Sequence, residues 1–188
     1  MDDKRDRIFD AAHVLFLERG FRNTSVADIT SIAGISVGTF YLYFKSKEEL
    51  FVEIYNSENV NVKAEILSKV DLDDDPVKVI RLIVDQIFKL SSNNQILNEW
   101  FNNPKLNALI ASQNKYAVEG SLIYSTMLRL IDKWIDADLV KPGMSKTRIV
   151  SLFDALTVLD FHQKELKTDN YQQVLDDMIE GILKVILK

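Results

Sequence analysis

Seven residues between positions 36 and 47 have types and spacings suited to holding a polyanion: Ser36, Val37, Gly38, Thr39, Tyr41, Tyr43 and Lys47. Serine, threonine and tyrosine hydroxyls hydrogen-bond phosphate oxygens. Small polar and apolar groups such as Ser36, Val37 and Thr39 suit base edges and the thymine methyl in a major groove. Gly38 has no side chain, so a backbone there can come close to another surface. Lys47 stands at an expected helix start, whose free N–H groups and dipole also favour phosphate. Together this is the chemistry of gripping double-stranded DNA, not of making or breaking bonds. The same pattern would also fit an ordinary helical hairpin with surface tyrosines.

The elements that must position these residues are legible as helices. Lys4 to Arg19 carries Ile8, Ala11, Ala12, Leu15 and Phe16 at helical spacing, then stops at Gly20 with Phe21 behind it, as in a Schellman end. Ser25-Val-Ala-Asp28 has capping-box spacing and starts a second helix whose inner face is Val26, Ile29, Ile32 and Ala33. Gly34 ends it. Ser36 caps a third, short helix in which Phe40 and Phe44 share an inward side, while Ser36, Thr39 and Tyr43 share another, flanked by Val37 and Tyr41. Ser46-Lys-Glu-Glu49 caps a fourth helix running to about Val70. Two short amphipathic helices joined by a glycine turn make a helix-turn-helix, a motif that places its second helix in the major groove.

Composition bounds the rest. The chain has 188 residues, 47% hydrophobic and 27% charged, with 6 Gly and 3 Pro, which suits a helical globular protein. There is no cysteine, which excludes disulfides and thiolate metal sites. The start, MDDKRDRIFD, has no signal-peptide core, and no apolar run reaches membrane-span length, so the expectation is a cytoplasmic protein without a membrane partner. Net charge is −5, and residues 1–50 carry seven basic against eight acidic side chains. Any DNA binding must therefore depend on where charges sit rather than on their sum. The recognition segment has no Arg or Lys, so bidentate reading of guanine from it is not expected. Arg5 or Arg22 could supply backbone or minor-groove charge.

Beyond the acidic run Asp71–Asp75, Asp75-Pro76 starts a further helix. Helices are expected at about 76–91, 95–102, 105–137 (bent near Gly120), 145–165 and 170–187. The expected fold class is all-α, with about nine helices. Residues 1–46 would form a DNA-binding domain, and residues 47–188 an effector-binding and dimerisation domain.

ERGF at 18–21, TSVADI at 24–29, AGIS at 33–36, GTFYLYF at 38–44 and KSKEEL at 45–50 follow one another in a fixed order. Through these motifs the stretch from about Arg7 to Phe51 resembles the N-terminal domain of the TetR family of transcriptional repressors. Residues 52–188 share only length and helix count with that family. The resemblance implies phosphate contacts from Thr24 and Ser25 and base-facing roles for Ser36, Val37, Gly38 and Thr39. It implies backbone-pinning roles for Tyr41 and Tyr43, and a phosphate contact from Lys47. Leu42 departs from the larger polar or aromatic residue often found there, and is assigned no DNA contact.

The resemblance also implies a homodimer on a palindromic operator, released by a small, mostly apolar effector. Wide apolar faces on the last two helices suit a four-helix dimer interface, for which Leu152, Ala155, Leu156, Leu159, Val174, Met178, Gly181 and Ile182 are the candidates. Small residues Ser151, Ala155 and Gly181 would permit close approach. Candidates for the effector pocket are Phe88, Trp100, Phe101, Tyr116, Tyr124, Met127, Trp134 and Phe161. The same side chains would equally serve as core. His13 and His162 read as structural. No metal site, cofactor, nucleophile–base pair or phosphate loop is evident, and no enzyme is expected. The rival reading is a helical small-molecule-binding or interaction protein whose helix-turn-helix no longer reads DNA, as the acidic balance would allow.

Overall fold

The computed structural model describes residues 4–114, 122–162 and 165–188, without the side chains of 88, 91, 92, 114, 157, 160 and 161. Ten helices are present among them: α1 (Lys4–Arg19), α2 (Val26–Ala33), α3 (Val37–Tyr43), α4 (Lys47–Lys69), α5 (Pro76–Asn93), α6 (Gln95–Asn102), α7 (Pro104–Asn114), α8 (Leu122–Asp136), α9 (Lys146–Phe161) and α10 (Tyr171–Ile186). The fold is all-α. Among the described residues the only β pairing is an isolated bridge between Val140 and Leu187. Within the span 105–137, where one helix is expected, the described residues form α7 and α8, and the expected bend at Gly120 lies outside the described residues. No single described helix is long and apolar enough to cross a membrane.

Local chemistry sets the helix ends. Gly20 has φ 75° and donates its N–H to Phe16 O at 3.0 Å. This single bond is the simple left-handed cap rather than the Schellman end expected there. The Schellman pattern appears at the end of α2 instead. Gly34, φ 65°, donates to Ser31 O and Ile35 donates to Thr30 O. A Cβ on Gly34 would also lie 2.7 Å from Arg7 Nη2, because Arg7 reaches across to the carbonyls of Ala33 and Gly34. The left-handed backbone favours glycine there, and a side chain would also have to displace the end of Arg7. Ser46 accepts from Glu49 N at 3.1 Å to start α4, and Asp75 accepts from Lys78 N at 3.0 Å to start α5.

The chain forms two compact units, Met1–Glu65 with Lys89–Tyr116, and Ile66–Phe88 with Ala117–Lys188. The first unit buries Ile8, Ala12, Leu15, Ile29, Phe40, Leu50 and Ile54 around Phe16, Phe21 and Phe51. The centroids of those three rings are 5.0 to 5.8 Å apart. Tyr55 stacks on Trp100 at 6.3 Å. Such fully buried aromatics dominate a small core. His13 Nε2 meets Glu58 Oε2 at 2.9 Å, and Asn94 Nδ2 donates to Glu58 Oε1, so this histidine is part of a polar brace between α1, α4 and the start of α6. The second unit packs Val79, Ile83, Leu130, Trp134, Ile149, Phe153, Leu156, Leu175, Ile179 and Leu183. His162 bonds Glu165 at 2.7 Å on the surface.

Candidate nucleic-acid interface

Helix α3 is built so that one side is pinned and the others are free. Phe40 is buried completely and Phe44 nearly so. Ser36 caps the helix by accepting from Thr39 N at 3.1 Å. Ser36 Oγ and Thr39 Oγ1 also bond each other at 2.9 Å. What remains outward is largely apolar: Val37, Tyr41 and Tyr43 are exposed, and Leu42 is 82% exposed, more than any other large hydrophobic residue described. Gly38 has no positive φ, and a Cβ there would meet only Ser36 Oγ, at an ordinary 3.8 Å. Nothing inside the fold requires glycine at position 38.

Helix α2 lies under α3 and carries its own cap. Ser25 Oγ accepts from Asp28 N, while the Asp28 carboxylate accepts from Ser25 N at 2.8 Å and Ser25 Oγ at 2.5 Å. Those two bonds hold the Asp28 carboxyl below its ordinary value. Ser25 is exposed, but its hydroxyl is committed to the cap.

Three sequence expectations change here. Thr24, expected to face a phosphate, is 2% exposed; its hydroxyl donates to Gly20 O at 3.0 Å and to Leu15 O at 3.4 Å. The Gly20 carbonyl lies past the end of α1, and Thr24 gives it a partner. Lys47, expected to reach a phosphate, is half-buried. Its Nζ donates to Phe21 O at 2.8 Å and Thr24 O at 2.7 Å, and sits 3.9 Å from the Phe21 ring centroid. Burial pushes its ammonium below the ordinary lysine value, against a smaller upward pull from Glu48 and Glu99. One of its three N–H groups is left for another acceptor. Arg5, offered as groove charge, pairs with both carboxylate oxygens of Glu53 at 2.6 and 2.8 Å and lies over Phe44. Arg22 stays exposed.

Among the other candidates, Trp100 is buried in the first unit and Trp134 in the second, while Phe101, Tyr124 and Met127 are half-buried. The side chains of Phe88, Tyr116 and Phe161 lie outside the described residues. A cleft of about 340 Å³ in the second unit is lined by none of these aromatics; Val77, Arg81, Lys141, Glu180, Leu183 and Lys184 are among its walls. On α9 and α10, Leu152, Leu159, Val174 and Ile182 are half-buried, and Ala155, Met178 and Gly181 are exposed. Leu156, expected to face a partner, is 8% exposed and belongs to the core, because its turn of α9 points the same way as Ile149 and Phe153. Val158, not anticipated from sequence, and Val185 are 59% and 48% exposed on these two helices. Among the described residues no cluster of His, Asp or Glu could hold a metal.

Comparison with known proteins falls on the same segment. Residues 8–54 match the family model described as bacterial regulatory proteins, tetR family. An AcrR regulator of Shigella flexneri is 32% identical over 88 residues, 46% of this chain and 41% of that one. The QacR regulator of Staphylococcus aureus is 39% identical over 54 residues, 29% of each chain. The matched stretch thus spans less than half the length of these curated relatives. Among solved structures, RolR in complex with resorcinol aligns over 95% of this chain and 86% of its own, at 20% identity and a TM-score of 0.65. FadR of Bacillus subtilis in complex with stearoyl-CoA aligns over 96% and 98%, at 19% identity and 0.56. Likeness at that identity extends the shared fold to nearly the whole chain.

Proposed function

We propose, from the premise that this chain belongs to the TetR family of bacterial regulatory proteins, that it is a ligand-responsive, DNA-binding transcriptional repressor acting as a homodimer. The observation that carries the reading is the outward side of α3. Val37, Gly38, Tyr41, Leu42 and Tyr43 surround a helix pinned only by Phe40 and Phe44, and Gly38 serves no need of the fold. A helix that spends this much apolar and aromatic surface on solvent is shaped for another surface. In a helix-turn-helix that surface is the major groove.

The dimer is supported by the uncovered face shared by Leu152, Ala155, Val158, Leu159, Met178, Gly181 and Val185 on α9 and α10. Two copies related by a two-fold axis would present two α3 helices to a palindromic operator. The proposed signal is a small, mostly apolar molecule bound in the C-terminal body; the structures of RolR with resorcinol and of FadR with stearoyl-CoA support ligand binding by a protein of this fold. Helix α4 would couple the sites, since it begins at the Lys47 clamp under the recognition elements and continues for 23 residues. A coupling of about 1–3 kcal/mol would release the DNA.

The test is a salt titration of binding to a palindromic duplex selected from a random library. The reading requires specific binding that weakens steeply with salt, the slope counting the phosphates neutralised. Absence of any duplex binding at low salt would favour a ligand-binding protein that no longer reads DNA.

A further inference from the structure

Leu42 poses a problem that the rest of α3 does not. It is 82% exposed, against 58% for Ile32 and 44% for Val37, the other exposed aliphatic side chains of the helix-turn-helix. A leucine held in water gains nothing for the fold. It lies one helical turn from Gly38, so the two share a face. At Gly38 the backbone is bare and, by geometry, need not be. A bare turn beside a protruding aliphatic side chain is a shape that lets the helix come close on one turn and press an apolar group down on the next.

The polar chemistry of the same helix is partly spent. Ser36 and Thr39 bond each other, and Ser36 also caps the helix. No Arg or Lys lies in Val37–Tyr43 to take guanine. The major groove offers one strongly apolar feature, the C5-methyl of thymine. We infer that Leu42 is a specificity-determining residue that reads a thymine methyl in each half-site, with Gly38 admitting the close approach. The inference rests on the DNA-binding reading above and adds the base and the atom recognised.

The experiment uses the full chain and a duplex it selects from a random library. Each thymidine is replaced singly by deoxyuridine, which removes the methyl and leaves base pairing intact. Affinities are measured for wild type, Leu42→Ala and Leu42→Met by fluorescence anisotropy. One position per half-site is expected at which deoxyuridine weakens the wild type about fourfold, the worth of one buried carbon. L42A should bind thymidine and deoxyuridine equally at that position, while L42M keeps the discrimination. Because the side chain is exposed, the thermal melt of L42A should match wild type, so loss of folding does not confuse the result. Wild type indifferent to deoxyuridine at every position, or L42A keeping the full effect, would overturn the assignment. So would L42A abolishing self-association while leaving discrimination intact, which makes Leu42 a protein contact. If no duplex is enriched at all, the DNA-binding reading itself fails and this inference falls with it.

Discussion

Lys47 Nζ lies 3.9 Å above the ring of Phe21 and donates to that residue's carbonyl at 2.8 Å. With the second bond to Thr24 O, one ammonium closes the turn between α1 and α2 onto the first residue of α4. The helix-turn-helix and the long helix that follows it are therefore joined by a defined contact rather than by the chain alone. A movement of the start of α4 must either break this clamp or carry the turn with it.

Replacing Lys47 by Met keeps the aliphatic stem and deletes the charge. The expected cost is about 2 kcal/mol of unfolding free energy, from two charge-assisted hydrogen bonds and a cation–π contact in a half-buried setting. Urea denaturation measures it. A stability equal to wild type would show that the clamp does not hold the turn, and would return Lys47 to a role confined to phosphate.

Asp28 gives the capping box a pH signature. Its carboxyl is held below its ordinary value of 3.8 by hydrogen bonds from the Ser25 hydroxyl and backbone. Because the folded value lies below the unfolded one, its contribution is complete above 3.8 and disappears as pH falls through the folded value. Asp28→Asn should therefore be less stable than wild type at neutral pH. The gap should close as pH drops well below 3.8. A gap independent of pH, followed by thermal melts across that range, would mean the side chain acts through shape and not charge.

Gly181 tests the dimer without touching the protomer. It is exposed on α10, and a Cβ there would meet no other atom within 4 Å. Gly181→Arg should leave the helical circular dichroism intact, since the position is exposed and has room for a Cβ. Light scattering should show the mass falling from two chains to one. An unchanged dimer would place the interface elsewhere than α9 and α10.

Much of this was readable from sequence because the signals are local. The Ser25–Asp28 box, the glycine after α2 and the Phe40–Phe44 pair are each fixed by residues within five positions of one another. The resemblance likewise rests on one continuous stretch. What could not be read depends on partners far along the chain. Arg5 finds Glu53 and Lys47 finds Phe21, 48 and 26 residues away. Thr24 has the right type for a phosphate, and only the turn after Gly20 shows that its hydroxyl faces inward. Leu42 went unassigned because residue type argued against it. Its exposure becomes visible only once Phe40 and Phe44 are seen to fix the rotation of α3. Leu156 went to the wrong face of α9 because an apolar stripe wide enough for two contacts does not say which edge meets which.

The most direct test of the whole account is Gly38→Ala. Position 38 is helical and has room for a methyl, so alanine should raise protein stability by up to about 1 kcal/mol through lower backbone entropy in the unfolded chain. If α3 presses its bare backbone against DNA, the same methyl should weaken binding to the selected duplex at least about tenfold, on the order of 1.4 kcal/mol. Stability and affinity, measured on one preparation by thermal melt and fluorescence anisotropy, must move in opposite directions. A more stable variant that binds DNA as tightly as wild type would contradict the claim that this face of α3 is the DNA-reading surface.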